Sequence, residues 1–298
     1  MNLCTVVYVA EYSQNLLSRA NSGEVLLVHS SGAYLRFGEE IFLLCDQKWG
    51  RLPIGILVED YSGTIRTLHL KAGQWVLRKD NQLIFPNGCI GFCVLPPSAE
   101  TLCRKKPRPE AILQAAEALA ALQKKSGLSM LVLPLLLGRS CDPTLWENPY
   151  FSRAYHGLDG CIKAMEQNDF DTLEENIPAL LGLGTGLTPS ADDIFMGMLY
   201  VFCRLHRGNI LGISLFQILI AQFSGTRTNQ ISAANFKAIL HGAPFDRMER
   251  VYRGLCAEEP LNIEYLTQIG SNSGSEMLLG MLIAFSILQS YMPNKEEP

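Results

Sequence analysis

The sequence predicts an α+β protein: a β-barrel-like N-terminal domain over residues 1–103, then a mainly helical domain over 104–298. Three observations carry this. Short β-branched and aromatic runs, set apart by turn dipeptides, fill the first third of the chain, the spacing of a barrel or sandwich. Charge and proline then concentrate in Arg104-Lys105-Lys106-Pro107-Arg108, and beyond it apolar residues recur with helical rather than strand periodicity. Finally, 48% apolar and 18% charged residues call for a sizeable core and exclude a disordered chain.

Strands are expected at residues 5–9, 24–29, 33–37, 40–45, 55–59, 64–70, 74–77 and 82–85, punctuated by Asn21-Ser22-Gly23, Ser62-Gly63 and Asn87-Gly88, with one short helix at 13–20. Trp49 and Trp75 read as core or rim aromatics. The boundary is placed within 103–109. Residues 110–125 form an amphipathic helix, with Ile112, Ala116, Leu119 and Leu122 on one face. The run 128–137 is ambiguous, because Pro134 interrupts it. Helices follow at 159–167, 172–176, 190–207 and 209–223. Ser224-Gly225-Thr226-Arg227-Thr228-Asn229-Gln230-Ile231-Ser232 reads as a solvated loop with Ser232 capping a helix at 233–240. Further helices are expected at 244–255, 261–269 and from Ser273 onward. Almost no helix is expected before Lys105 beyond one short piece, and almost no strand after Pro143.

A net charge of −4 argues against a general electrostatic grip on nucleic acid, and the basic run reads as a solvated linker. The nine cysteines are scattered, and Cys89 and Cys93 lack the CxxC spacing. His29, His69, His156, His206 and His241 stand apart, so no zinc-type ligand set emerges. Free thiols, a start without a basic leader region, and apolar stretches (210–223 and 277–288) too short or interrupted to span a bilayer point to a cytoplasmic protein off the membrane.

The helical domain is organised around Leu181-Gly182-Leu183-Gly184-Thr185-Gly186-Leu187-Thr188-Pro189-Ser190-Ala191-Asp192-Asp193. Alternating glycines permit positive φ and close approach to a ligand. Thr188-Pro189-Ser190 is a helix start, and Ser190 with Asp193 has capping-box spacing. The design recurs: Ser273-Gly274-Ser275-Glu276, then Gly280-Met281-Leu282, matches Ser190-Ala191-Asp192-Asp193, then Gly197-Met198-Leu199. A glycine kept inside each helix, at about 1 kcal/mol against alanine, predicts that the two helices cross at Gly197 and Gly280 with their N-termini together.

Capping alone accounts for Ser190, Asp193, Ser273 and Glu276. It explains less well the glycine run, the extra Asp192 and the duplication. The candidate binding set is therefore Gly184, Thr185, Gly186, Leu187, Thr188 and Ser190 from the loop, Ser273, Gly274 and Glu276 from the second cap, and Arg227, Asn229 and Ser232 from a third wall. Helix-start amides suit phosphate or carboxylate oxygens, and Arg227 offers a planar fork for a carboxylate. Asp192 and Asp193, the candidate catalytic acids, oppose an anion placed among them. They turn away in capping, hold Mg²⁺ that bridges to a phosphate, or accept from an amide N–H; these alternatives stay open. The motif is neither a Walker loop nor a dinucleotide fingerprint.

Gly184-Thr185-Gly186-Leu187-Thr188-Pro189-Ser190-Ala191-Asp192-Asp193 with Gly197-Met198-Leu199 resembles the hallmark of a bacterial family typified by the AllH-type subunit of oxamate carbamoyltransferase, from anaerobic allantoin breakdown. The resemblance runs through Ile231-Ser232 and Gly270 to Gly280, over about residues 177–282. It implies a subunit of a hetero-oligomeric transferase that moves a carbamoyl group between phosphate and the nitrogen of oxamate, through oxalurate. Carbamoyl phosphate and oxamate are then the small-molecule partners. Two positions depart from the family pattern: Ser271 stands where His is usual, and Glu276 where Asp is usual. A supporting, non-catalytic anion-binding or assembly role is the alternative that the resemblance leaves. With a mean hydropathy of +0.12, the isolated chain is expected to self-associate or to need partner subunits for turnover.

Overall fold

A computed structural model of the chain describes residues 3–9, 11–92, 105–124, 126–205 and 210–291. It divides into two compact units, residues 1–101 with 241–247, and 102–240 with 248–298. The boundary expected within 103–109, like Cys93, Arg104, His206 and the ends expected at 207 and 209, falls wholly or partly outside the described residues.

The first unit is an eight-stranded closed barrel. Its strands are β1 (Leu3–Val9), β2 (Ser22–His29), β3 (Gly32–Phe37), β4 (Glu40–Asp46), β5 (Gly55–Val58), β6 (Trp75–Lys79), β7 (Gln82–Phe85) and β8 (Gly88–Phe92), closed in the order β1-β5-β4-β3-β2-β6-β7-β8. Tight hairpins join β2 to β3, β3 to β4, β6 to β7 and β7 to β8. Two parallel pairings, β4 with β5 and β1 with β8, complete the ring, which leaves no open edge to recruit another strand. Val25, Leu35, Phe37, Phe42, Leu44, Ile56, Leu83 and Ile90 fill the core. Residues 241–247 complete this unit. Asp246 accepts from the backbone N–H and the Nε of Arg51, both at 2.7 Å, and the Arg247 guanidinium lies 4.7 Å over Trp49. Trp75 points outward, 48% exposed.

Two expectations here need correction. Residues 64–70 are not a strand; α2 spans Tyr61–Leu68, and with α1 (Glu11–Leu17) it makes two helices where one was expected. The Asp60 carboxylate caps it by accepting from Gly63 N at 2.9 Å. Tyr61, Thr64 and Leu68 bury one helical face, so a period near 3.6 outweighed the β-propensity of Thr64, Ile65 and Thr67. Strand β8 was not foreseen. Its glycines weaken the strand signal, and pairing between β7 and β1 supplies what propensity does not.

The second unit is helical: α3 (Pro109–Ala121), α4 (Val132–Leu136), α5 (Pro149–Gln167), α6 (Phe170–Leu180), α7 (Ser190–Leu205), α8 (Leu211–Arg227), α9 (Gln230–Leu240), α10 (Asp246–Leu255, whose first two residues belong to the barrel unit), α11 (Glu264–Thr267) and α12 (Ser273–Ser290). No strand follows Pro143 among the described residues. Helix α5 starts well before the expected residue 159, because Asn148 caps it and Pro149 occupies its first turn. Helix α8 continues through Ser224-Gly225-Thr226-Arg227, so the expected loop shrinks to Thr228-Asn229. Ser232 does not cap α9. Asn229 does, its Oδ1 accepting from Ile231 N and Ser232 N at 3.0 Å each, so the cap sits one turn earlier than expected.

Helices α7 and α12 form the core of this unit. Every residue from Ser190 to Phe202 is buried, as is every residue from Gly274 to Phe285. Helix α12 is long and apolar enough to cross a bilayer, but 78% of it is buried inside the protein. The two helices cross at their glycines, reciprocally. A Cβ on Gly197 would lie 2.0 Å from the Met277 carbonyl oxygen, and one on Gly280 would lie 1.9 Å from that of Ile194. Each glycine thus meets the carbonyl three residues before the other, a local two-fold arrangement that only hydrogen side chains permit.

Gly197→Ala is expected to destabilise the protein by about 1–3 kcal/mol through overpacking, and Gly197→Leu by more. Gly225→Ala, on α8 with nothing within 4 Å of the added methyl, should be neutral or stabilising by up to about 1 kcal/mol. Thermal unfolding of the three variants checks this; equal melting temperatures for Gly197→Ala and Gly225→Ala would show that the crossing tolerates a Cβ.

Candidate functional site

The crossing at Gly197 and Gly280 sets two helix N-termini side by side, and the glycine loop between α6 and α7 covers them. Gly182 and Gly184 hold φ of +80° and +120°, and neither has room for a Cβ: it would meet the Arg227 carbonyl oxygen at 2.4 Å and Ser190 N at 2.6 Å, respectively. The loop is therefore pressed between the end of α8 and the start of α7. Asn229 Nδ2 holds its far side by donating to the Leu187 carbonyl at 2.8 Å.

Three carboxylates lie beneath, with relative exposures of 0%, 0% and 1% for Asp192, Asp193 and Glu276. Asp192 Oδ1 accepts from Gly182 N at 2.8 Å, and its Oδ2 accepts from the Thr228 hydroxyl, with Ser232 nearby. It ties the glycine loop to the α8–α9 junction. Asp193 Oδ2 accepts from the Thr188 hydroxyl at 2.9 Å, and that hydroxyl lies 3.2 Å from the Ser273 hydroxyl. Glu276 Oε1 accepts from Leu128 N at 2.8 Å. Burial pushes all three carboxyls above the ordinary carboxylate range. Asp193 goes furthest, because the Glu276 charge adds to its burial.

The expected capping boxes do not form: Ser190 and Ser273 are the first residues of their helices, and Asn272, the N-cap of α12, makes no side-chain capping bond. The Ser273 hydroxyl of α12 acts on Asp193 of α7, and the Ser190 hydroxyl of α7 acts on Glu276 of α12. Each serine thus acts on the acid of the partner helix.

Part of the expected cradle of amides is occupied within the chain. Ala191 N donates to the Leu183 carbonyl at 3.0 Å and Asp193 N to that of Pro189 at 3.1 Å; Gly274 N donates to Ile269 O at 3.0 Å. Ser275 N and Glu276 N both donate to Asn272 O, at 2.9 and 3.0 Å. These donors are satisfied within the chain, and the dipoles of both helices act inward on the buried acids.

The expected residues thus separate into two layers. Thr185, Gly186, Leu187, Arg227 and Asn229 are exposed, and Gly184, Thr188 and Ser273 are half-buried at the rim. Asp192, Asp193, Ser190, Ser232, Gly274 and Glu276 are buried behind them. Sequence reasoning missed Thr228, which lies directly before the α9 cap, and Lys124 and Leu128. Lys124 donates to the Ser271 carbonyl and acts on Glu276. Thr228 was findable as the residue beside a capping Asn; Lys124 and Leu128 reach the site through tertiary packing and carry no motif. Among the described residues no group of three or more His, Cys, Asp or Glu is arranged to hold a metal ion.

Residues 180–285 match the family model described as oxamate carbamoyltransferase subunit AllH. The match spans the glycine loop, α7, α9 and all but the end of α12, the segment on which the motif resemblance rests. No solved structure matches the chain.

Asp192→Ala is expected to cost roughly 1–3 kcal/mol, because Gly182 N–H and the Thr228 hydroxyl lose their shared acceptor. Asp192→Asn, which keeps one acceptor, should cost less. Thermal melting checks both; an unchanged melting temperature for Asp192→Ala would show that the tie is dispensable.

Proposed function

We propose that this chain is a subunit of a carbamoyltransferase that acts on oxamate and oxalurate with carbamoyl phosphate, in the cytoplasmic use of allantoin nitrogen. The observation that carries the reading is the glycine loop braced between the starts of α7, α9 and α12, inside the matched segment. A small polar ligand meets the exposed loop tip and the half-buried hydroxyls of Thr188 and Ser273. Arg227 pairs with the carboxylate of oxamate, since a guanidinium fork and a carboxylate are complementary. Asp192 positions the loop rather than touching the reacting atoms, and Asp193 and Glu276 hold the two helix starts. The Mg²⁺ alternative supplies no step in this reading.

Phosphate is the less suited end of the substrate pair for this surface, with three acids beneath it and several helix-start amides engaged within the chain. That favours a division of labour in which another subunit takes the phosphoryl end. A second reading, a purely assembling subunit, draws on a different observation: the acids are buried behind the loop rather than poised at a surface.

The test is carbamoyl transfer by the complex reconstituted with its other subunits. Arg227→Ala should raise the KM for oxamate about tenfold, the loss of one charge-assisted contact, with little change for carbamoyl phosphate. Unchanged kinetics in Arg227→Ala and in Leu187→Ala would favour the assembly reading. Full activity from the isolated monomer would contradict the need for partners.

A further inference from the structure

Asp193 and Glu276 are placed so that their charges oppose each other inside the protein. They occupy equivalent positions on two helices whose backbones meet at Gly197 and Gly280. Both are buried, and a chain of hydroxyls joins them to the facing first turns: Thr188 to Asp193, Ser273 beside Thr188, and Ser190 towards Glu276. Asp193 Oδ1 is buried with no hydrogen-bond donor. An ionised oxygen left there without a donor is costly, and two ionised carboxylates in one water-excluded site repel, so burial favours one of them keeping its proton.

We propose that Asp193 and Glu276 share one proton at neutral pH, and that this proton latches the first turns of α7 and α12 together and so holds the 182–188 loop closed over them. The charged groups that act on the pair are few. Glu276 comes from α12 and Asp192 from α7 itself, both opposing ionisation of Asp193; Lys124, from the segment after α3, acts through Glu276 and favours its ionised form. From the start of α9, Asn229 and Ser232 bring no charge. Glu276 therefore takes the negative charge, with Leu128 N–H and Lys124 to support it, and Asp193 keeps the proton. The latch does not depend on which ligand the loop binds.

The sign follows from linkage. The folded-state carboxyl titrates above its unfolded value, so the folded chain binds more protons in the interval between them. Stability falls as pH rises through that interval, and the loss is complete above the folded value. Loss of the proton leaves two buried charges, which separate by opening the first turns and releasing the loop.

The experiment compares the full chain with Asp193→Asn, which keeps the shape, replaces the proton by an N–H and removes the charge. Thermal unfolding and backbone hydrogen exchange, corrected for intrinsic rates, are followed between pH 5.5 and pH 8.5. The unaltered chain should lose about 3 °C per pH unit in the interval where the unfolded carboxyl is ionised and the folded one still protonated, with exchange in residues 182–188 rising in parallel. Asp193→Asn should lose most of both slopes, keeping only what the buried Asp192 and Glu276 carboxyls contribute. Infrared spectroscopy supplies a readout independent of stability: a protonated-carboxyl band at pH 7, absent from Asp193→Asn. If Asp193→Asn does not fold, Glu276→Gln removes the repulsion but leaves Asp193 buried, so it should weaken the pH dependence of the same profiles without abolishing it. The proposal is overturned by any of three results: no protonated-carboxyl band at pH 7, a pH-independent loop in the unaltered chain, or the same pH dependence in the neutral variants.

Discussion

The second unit depends on a backbone-to-backbone contact. Where α7 and α12 cross, the hydrogen of Gly197 faces the Met277 carbonyl and that of Gly280 faces the Ile194 carbonyl. A methyl at either position would overlap a carbonyl oxygen that belongs to a rigid helix and cannot move aside. The contact also leaves little freedom in the angle or register of the two helices. Both first turns must then start at the same place, and the buried acids, exchanged serine partners and covering loop follow from that placement.

The electrostatics at this junction are a balance of unequal terms. A helix N-terminus favours a nearby negative charge by typically 0.3–1 kcal/mol, and by up to about 2 kcal/mol when partly buried. Removing one carboxylate from water costs several kcal/mol even after relaxation. Two dipoles therefore do not support three full charges, and the chain meets the difference with donors. Gly182 N–H and the Thr228 hydroxyl serve Asp192, the Thr188 hydroxyl serves Asp193, and Leu128 N–H with Lys124 serves Glu276. Using the dipoles inward in this way leaves the outer face of the loop to Arg227, Asn229 and uncharged groups.

Much of this was legible in the chain. The change of period near residue 105 separates strands from helices because half-buried strands alternate and packed helices repeat every third or fourth residue. The duplicated Ser-to-Gly-Met-Leu pattern located the crossing, since a glycine inside an apolar helix needs a close neighbour to justify its cost. The misreadings were local contests between signals. Residues 64–70 carry β-branched side chains, but Asp60 caps them and Tyr61, Thr64 and Leu68 fall on one face. Ser232 has the right residue type for a cap, but Asn229 stands where the α9 donors point.

The sequence by itself determined the two structural regimes, the glycine loop, the paired helices and the residues that gather at their starts. These are properties of short stretches, in which spacing alone decides which groups share a face or a turn. Which serine supports which acid, which amides remain free, and which acids lie behind the loop rather than at its surface were decided only by the tertiary structure. Ser190 and Asp193 have the spacing of a self-contained cap. In the folded chain Ser190 acts on Glu276 and Ser273 on Asp193, across the crossing that the Gly197–Gly280 contact fixes. Lys124, Leu128 and Thr228 enter the site in the same way, from chain positions that no local rule connects to it. Hydrogen bonding and burial depend on distance in space, and two segments with separate local patterns do not encode that distance until the helices pack.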